Sequence, residues 1–236
     1  MLDKLIKQTA EHISYSQEEL DNIKDSVNHL KGIIKYQPDF RNFFIGGSFK
    51  RHTMVKGISD IDIYYEYIGG TNPQTALSRL RECLKSSYPD SDIFHDKPSI
   101  TAALKKIPVN ITPYRGYPIM IPDETLKNWK TANFERLENA INNLTHESSN
   151  YIKLIKVLKL WKYSHSREIK NYEIEEKVSK MLLGSYSGKG PLSNKMLDFF
   201  FINNFRKDHE KFKKIFLAHL PENQLKTEWL NFIENR

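Results

Sequence analysis

The stretch GGSFKRHTMVKGISDIDIYYEY, residues 46–67, carries the clearest pattern in this chain. It places two glycines, a serine and a basic run ahead of Asp60 and Asp62, which are two positions apart. Because side chains alternate between the faces of a β-strand, the two carboxylates and Tyr64 are expected on one face and the intervening isoleucines on the other. The stretch therefore predicts two carboxylates at one edge of a sheet.

Paired carboxylates beside a glycine turn are typical of metal-assisted phosphate chemistry. Like charges repel, a divalent cation relieves that repulsion, and Mg²⁺ is commonly held by one or two carboxylates together with substrate phosphates. Gly46 and Gly47 let the backbone approach a ligand closely, and Ser48 is expected to open a short helix whose free N–H groups favour phosphate. An isolated Asp-x-Asp is usually a solvated strand edge, but with this turn it indicates phosphoryl or nucleotidyl transfer with Mg²⁺ or Mn²⁺.

Composition narrows the class of protein. The chain has 236 residues and a formal net charge of +7, with lysines spread along it, so RNA or another polyanion is a candidate partner of a basic surface. The single Cys83 and the scattered histidines argue against a zinc site. No apolar run approaches the roughly 20 residues of a membrane span, and the N-terminus lacks a signal-peptide pattern. We expect a soluble cytoplasmic protein with no membrane contact and no zinc.

The spacing of apolar residues predicts the order of helices and strands. Residues 1 to about 36 have helical spacing, and Ser16 with the glutamates after it resembles a helix start. From residue 43 to about 121 the pattern changes to short β-strands, with one helix over residues 73–87. This part of the chain predicts a sheet with flanking helices.

After Pro122 the sequence predicts helices almost throughout, beginning with FERLENAINNLT at 134–145. A sheet block followed by a helical block predicts an α+β fold of two lobes with a cleft between them. We place the N-terminal helices and the mixed sheet lobe in residues 1–122 and the helical lobe in residues 123–236.

The run GGSFKRHT followed by GISDIDI resembles the signature of the DNA polymerase beta-like nucleotidyltransferase superfamily. That signature is Gly-Ser, a basic helix that ends in Thr, and a Ser-Asp-x-Asp strand. Three later stretches resemble the helical lobe of bacterial cyclic-oligonucleotide synthases, relatives of cyclic GMP–AMP synthase and oligoadenylate synthase: YPIMIPD with NWKT, YIKLIKVLKLWK, and KNYEIEE. The resemblance covers about residues 40–185 and implies the polymerase beta-like fold with an NTP and Mg²⁺ bound.

The resemblance also implies roles for individual residues. The lysine that contacts the triphosphate in the family corresponds to Lys159. A following pair, whose first residue touches phosphate and whose aromatic ring stacks on a base, corresponds to Asn171 and Tyr172. Together with Gly47 and Ser48, these three complete the predicted nucleotide-binding set.

One position departs from the family pattern. The family places a third Asp on a neighbouring strand in the pattern h-Asp-h-x-Pro, where h is an apolar residue. This chain reads VNITP at 109–113, with Asn110 at that position. A neutral amide leaves one negative charge fewer to hold the cation that activates the attacking hydroxyl. Three interpretations remain open: an engineered Asp-to-Asn change, a natural enzyme that works weakly or differently, and a nucleotide binder without catalysis. Asp92 and Asp96 lie outside that context and are not predicted ligands.

The predicted function is a minimal second-messenger synthase of bacterial antiphage defence, which uses NTPs to make cyclic or linear oligonucleotides. The candidate catalytic residues are Asp60, Asp62 and Asn110, and the metal ligands are the two aspartates. Two alternatives remain: a template-independent nucleotidyltransferase acting on RNA or protein, and a non-catalytic binder of NTP or cyclic nucleotide.

Overall fold

The structure is a computed structural model that describes residues 1–96, 98–104, 107–132, 134, 137–141, 150–183 and 190–235. The chain divides into two compact units. The sheet unit comprises Tyr15–His52 and Ser59–Glu135, and the helical unit comprises Met1–Ser14, Thr53–Ile58 and Arg136–Arg236. The helix predicted at 134–145 lies partly outside the described residues.

The helices and strands follow one another in this order: α1 (Leu2–His12), α2 (Gln17–Lys35), β1 (Phe40–Ile45), α3 (Gly47–Lys50), β2 (Ile61–Tyr67), α4 (Pro73–Ser87), β3 (Ile93–Asp96), β4 (Ser99–Leu104), β5 (Ile107–Tyr114), β6 (Met120–Pro122), β7 (Trp129–Thr131), α5 (Asn150–Ser164), α6 (Asn171–Leu183), α7 (Leu192–Ile202), α8 (Arg206–Leu217) and α9 (Glu222–Glu234).

The sheet unit is built on five strands in the order β1-β2-β5-β4-β3. The central pair, β2 and β5, is parallel, and every other pairing is antiparallel. A second, two-stranded sheet pairs β6 with β7. The mixed sheet predicted from the sequence is confirmed, but β3 and β7 were not predicted. Only Ile93 of β3 is buried, so this edge strand carries no alternation to recognise.

Two helices pack on the sheet. Helix α2 begins at a capping box, in which the Ser16 hydroxyl accepts from the backbone N–H of Glu19 and the Glu19 carboxylate accepts from that of Ser16, so the predicted helix start is confirmed. Helix α2 packs against α4 and β1, and α4 packs against β3, β4 and β5. On β2, Ile61, Ile63 and Tyr65 are all buried.

Among the residues that the structure describes, α1 and α5–α9 of the helical unit contribute to one apolar cluster. Helix α1 packs against α5, α7 and α9. Its Asp3 carboxylate accepts hydrogen bonds from the backbone N–H groups of Leu192 (3.0 Å) and Ser193 (2.9 Å), and from the Ser193 hydroxyl (2.6 Å). These are the first residues of α7, so a side chain near the start of the chain caps a helix far along it.

Packing therefore assigns some segments differently from the boundary at residue 122. Helix α1 joins the helical unit because Leu2, Leu5 and Ile6 belong to its core. The residues of Thr53–Ile58 join it as well: Val55 is fully buried there. Residues 123–135 remain with the sheet unit, in which β7 pairs with β6. None of the described helices combines the length and the apolar character that crossing a membrane requires.

Candidate active site

The glycine turn between β1 and α3 is packed against the second aspartate. The Gly46 N–H donates to the Asp62 carbonyl at 2.9 Å. Gly47 has φ +63°, and a Cβ added to it would lie 1.8 Å from Oδ2 of Asp62. Glycine is thus required at 47 both by backbone conformation and by the carboxylate that fills the adjacent space. The sequence explained this glycine only by the approach of a ligand.

Ser48 lies at the start of the four-residue helix α3 and is almost fully buried. Its hydroxyl lies 3.5 Å from the carbonyl oxygen of Asp60, which is the outer limit of a hydrogen bond. The turn therefore contacts the backbone of the first aspartate and the side chain of the second. The helix begins one residue earlier than predicted, at Gly47.

Strand register brings the third predicted position to the aspartates. Asn110 on β5 is the register partner of Asp62 on the parallel strand β2, and of Thr101 on the antiparallel strand β4. The Asn110 Nδ2 donates to Oδ2 of Asp60 at 3.1 Å, and the Thr101 hydroxyl donates to Oδ1 of Asn110 at 2.8 Å. Register partners in neighbouring strands share a face, so the three predicted catalytic positions lie together.

The folded protein disfavours the charged form of the Asp60 carboxylate. Withdrawal from water raises its pKa above the ordinary value of 3.8, and the negative charge of Asp96 raises it further. The hydrogen bond from Asn110 acts in the opposite direction but does not reverse the shift. Asp96 is the last residue of β3, and no sequence pattern predicts that its charge lies near Asp60.

The donor set fits a hard divalent cation. Among the residues that the structure describes, no group of three or more His, Cys, Asp or Glu side chains is arranged to hold a metal ion. Mg²⁺ does not require one, because it often takes one or two carboxylates and completes its coordination with water and substrate phosphates. A cation beside Asp60 would favour the charged form of that carboxyl and so oppose the rise in pKa that burial and Asp96 cause.

Lys159 lies in the helical unit and is fully buried. Its ammonium donates to Oε1 of Glu175 at 2.6 Å, and to the carbonyl and hydroxyl oxygens of Thr53, both at 3.0 Å. The Thr53 hydroxyl in turn donates to Glu175. The three donor hydrogens of the ammonium thus have three protein acceptors. This gives Lys159 a structural role, and its contact with a triphosphate stays a prediction.

The other two predicted nucleotide contacts are the first residues of α6. Tyr172 is 49% exposed, and the ammonium of Lys170 lies 5.9 Å from the centre of its ring. The side-chain oxygen of Asn171 is buried and has no hydrogen-bond partner among the described residues. The exposed ring is available for stacking, but a phosphate contact of Asn171 and a base contact of Tyr172 both stay predictions.

Five residues of the predicted site lie together in the structure: Gly47, Ser48, Asp60, Asp62 and Asn110. Sequence reasoning missed Thr101, which fixes the amide of Asn110, and the partners of Lys159. The alternation in SITAAL indicates a strand but not its neighbour, so Thr101 could be found only after register was known.

The fold is shared with nucleotide-bound enzymes of known structure. CdnC of E. coli MS115-1 with ATP has a TM-score of 0.76 and 15% identity, over 98% of this chain and 97% of that one. CdnG of Bradyrhizobium diazoefficiens in complex with GTP has a TM-score of 0.71 and 14% identity, over 99% and 89%. At such identities the likeness shows the fold alone, and it confirms the predicted polymerase beta-like nucleotidyltransferase fold.

A third similar structure is that of Vibrio cholerae DncV cyclic AMP-GMP synthase in complex with the linear intermediate 5′ pppA(3′,5′)pG. It has a TM-score of 0.68 and 11% identity, over 99% of this chain and 84% of that one. Among curated protein sequences none matches this chain. The sequence profile of the Second Messenger Oligonucleotide or Dinucleotide Synthetase domain, SMODS, matches residues 2–144, which include the glycine turn, both aspartates and Asn110. The chain therefore belongs to the SMODS family of nucleotidyltransferases.

Proposed function

We propose that the protein joins NTPs into cyclic or linear oligonucleotide second messengers in a reaction that depends on Mg²⁺ or Mn²⁺. The observation that carries the proposal is the cluster of the glycine turn, two aspartates and Asn110 on one face of the sheet. Family membership supports the same reaction class. A second messenger acts in signalling, and bacterial antiphage defence is the signalling setting that we propose.

Each residue of the cluster has a part that its geometry supports. Asp60 and Asp62 would hold the cation, which neutralises the triphosphate and stabilises the pyrophosphate leaving group. The Gly46 and Gly47 turn lies against Asp62, so phosphates bound at the turn would lie beside that cation. Ser48 would add a hydroxyl contact to the terminal phosphates.

Asn110 would face the nucleophile side, where the family pattern has a third carboxylate. Its amide donates to Asp60 and carries no formal charge. A hydroxyl attacking from this side therefore lacks the anionic ligand that normally helps to deprotonate it. We expect turnover to be slow for this reason.

The test is incubation of the protein with each labelled NTP and with mixtures, in Mg²⁺ or Mn²⁺, with and without RNA. We expect a metal-dependent oligonucleotide product without RNA, and loss of at least about 100-fold of it in Asp62→Asn. Asp90→Asn removes a carboxylate from an exposed position of the same unit and should stay within about twofold of the parent.

The outcomes separate the alternatives. Labelled RNA or labelled protein as the sole product would identify a nucleotidyltransferase that modifies a polymer, for which the net charge of +7 would serve as an acceptor surface. Metal-dependent ATP binding by calorimetry without any product would identify a nucleotide binder. A product that persists in Asp62→Asn would contradict the assignment of the site.

A further inference from the structure

A buried hydroxyl fixes the orientation of the Asn110 amide. Thr101 is 6% exposed, and its hydroxyl donates to Oδ1 of Asn110 at 2.8 Å. The other end of the same amide, Nδ2, donates to Oδ2 of Asp60 at 3.1 Å. The three side chains form one chain of donors that ends on a carboxylate.

Turning the amide over would break both of these bonds. In the reversed orientation Nδ2 would donate to the Thr101 oxygen, and the single hydroxyl proton would need another acceptor. In the described part of the chain, that proton is donated to the Asn110 oxygen. A buried hydroxyl left without an acceptor is costly, and Asp60 would also lose the amide donor.

The donor orientation matters because it opposes a cation at the same oxygen. The N–H edge of an amide carries partial positive charge, as does a bound cation, and both seek Oδ2 of Asp60. An asparagine that coordinated a cation would have to present its oxygen instead. The bond from Thr101 holds that oxygen on the side away from Asp60.

We propose that Thr101 is a positioning residue that holds Asn110 as a hydrogen-bond donor to Asp60, so that the site takes one divalent cation with the NTP. The proposal rests on the function proposed above, which places that cation at Asp60 and Asp62. In the family pattern a third carboxylate at residue 110 would help to hold a second cation. In this chain Asn110 places an amide donor there instead. Thr101 sets how strongly this donor competes for Asp60.

The test is a Mn²⁺ titration followed by electron paramagnetic resonance, with α,β-methylene-ATP present to block turnover. We expect one protein-bound Mn²⁺ in the parent and two in Asn110→Asp. Thr101→Val frees the amide to turn, so Mn²⁺ should bind about three- to tenfold more tightly, the equivalent of one hydrogen bond. Asn110→Ala removes the competing donor and should shift the affinity in the same direction.

Two controls isolate the hydroxyl. Thr101→Ser keeps it and should restore the parent affinity within about twofold, since the donor is unchanged. Thr112→Val removes the hydroxyl of another buried threonine, on β5, and should leave Mn²⁺ affinity at the parent value. Circular dichroism confirms folding of each variant, and Thr101→Ala, which also removes the hydroxyl, takes the place of Thr101→Val if that variant does not fold.

Several results of the Mn²⁺ titration would overturn the inference. Two Mn²⁺ ions in the parent, or unchanged or weaker binding in Asn110→Ala, would show that the amide does not compete with the cation. Unchanged or weaker binding in a folded Thr101→Val would show that Thr101 does not position the amide. A parent that binds no Mn²⁺, or an Asp62→Asn variant that binds it as the parent does, would instead refute the cation site of the proposed function, and this inference with it.

Discussion

Two networks in this molecule are built from the same kinds of group: a threonine hydroxyl, a carboxylate and a nitrogen donor. In the helical unit, Lys159, Glu175 and Thr53 are all fully buried, and the ammonium balances the carboxylate. Positive charge, negative charge and hydrogen bonds are matched inside the protein.

The network of the sheet unit lacks that balance. Asn110 links Thr101 to Asp60 through a neutral amide, and the negative charge of Asp96 adds to that of Asp60. Similar chains of hydrogen bonds can therefore have different roles in one protein. The charge-balanced network should determine stability, whereas the unbalanced one should determine how strongly a cation is attracted.

The largest effect is expected from Lys159→Met. It leaves the Glu175 carboxylate buried without its cation, which should lower the free energy of unfolding by about 3–5 kcal/mol, measured by urea denaturation without nucleotide. Lys153→Met on the same helix is the control, because its partner Glu11 is exposed, and it should have little effect. A stable Lys159→Met variant with weakened ATP binding would instead favour the triphosphate contact.

Gly47→Ala should have the next largest effect on the free energy of unfolding, because this glycine packs against the candidate metal ligand Asp62. The added Cβ meets the Asp62 carboxylate at a positive φ, so we expect a loss of about 3 kcal/mol, of which about 1 is backbone strain. Gly116→Ala is the control variant: Gly116 also has a positive φ, +55°, but no atom lies within 4 Å of the added Cβ. Equal losses in the two variants would show that contact with Asp62 does not require glycine.

Asn110→Asp should reduce apo stability by about 1 kcal/mol, because a carboxylate replaces the donor that faces Asp60. The loss should appear as pH rises through the carboxyl pKa values and be absent where both groups are protonated. Mn²⁺ should raise the melting temperature more in this variant than in the parent, since a third carboxylate joins the site. An unchanged metal response, with no gain in product, would remove residue 110 from the ligand set.

The smallest effect is expected from Asp60→Asn. The folded protein raises the pKa of Asp60, so its contribution to stability is present below the unfolded pKa and is lost as pH rises through the folded pKa. The variant lacks this loss, and at pH 7 without metal its melting temperature should exceed that of the parent by about 1–3 °C. A lower melting temperature at pH 7, by calorimetry, would mean that Asp60 is already compensated.

These regions also differ in how far the sequence alone could predict them. Strand spacing and the glycine turn were sufficient to group Gly47, Asp60 and Asp62, because local pattern determines which side chains share a face. The role of Thr101 depends on β4 lying beside β5, a long-range pairing that no local pattern encodes. Burial of Lys159 depends on Glu175, which lies on the next helix.

The boundary at residue 122 illustrates the same limit. Apolar spacing identified α1 as a helix but could not show which core its apolar face would enter. The segment Thr53–Ile58 has no regular structure to recognise, and its membership of the helical unit follows from packing alone. Local periodicity therefore indicates where a helix lies but not which element it packs against.

The cap that Asp3 forms on α7 has a consequence for the order of events during synthesis. The carboxylate and the Ser193 N–H that it accepts from are 190 residues apart in the chain. At bacterial and eukaryotic elongation rates, about 10–40 s pass between the synthesis of Asp3 and that of the N–H groups from which it accepts. The strands of the sheet unit all lie within Phe40–Thr131 and are complete well before then. A ribosome-bound chain stalled before residue 192 should therefore protect the sheet from hydrogen exchange before α1 has gained its contacts with α7 and α9.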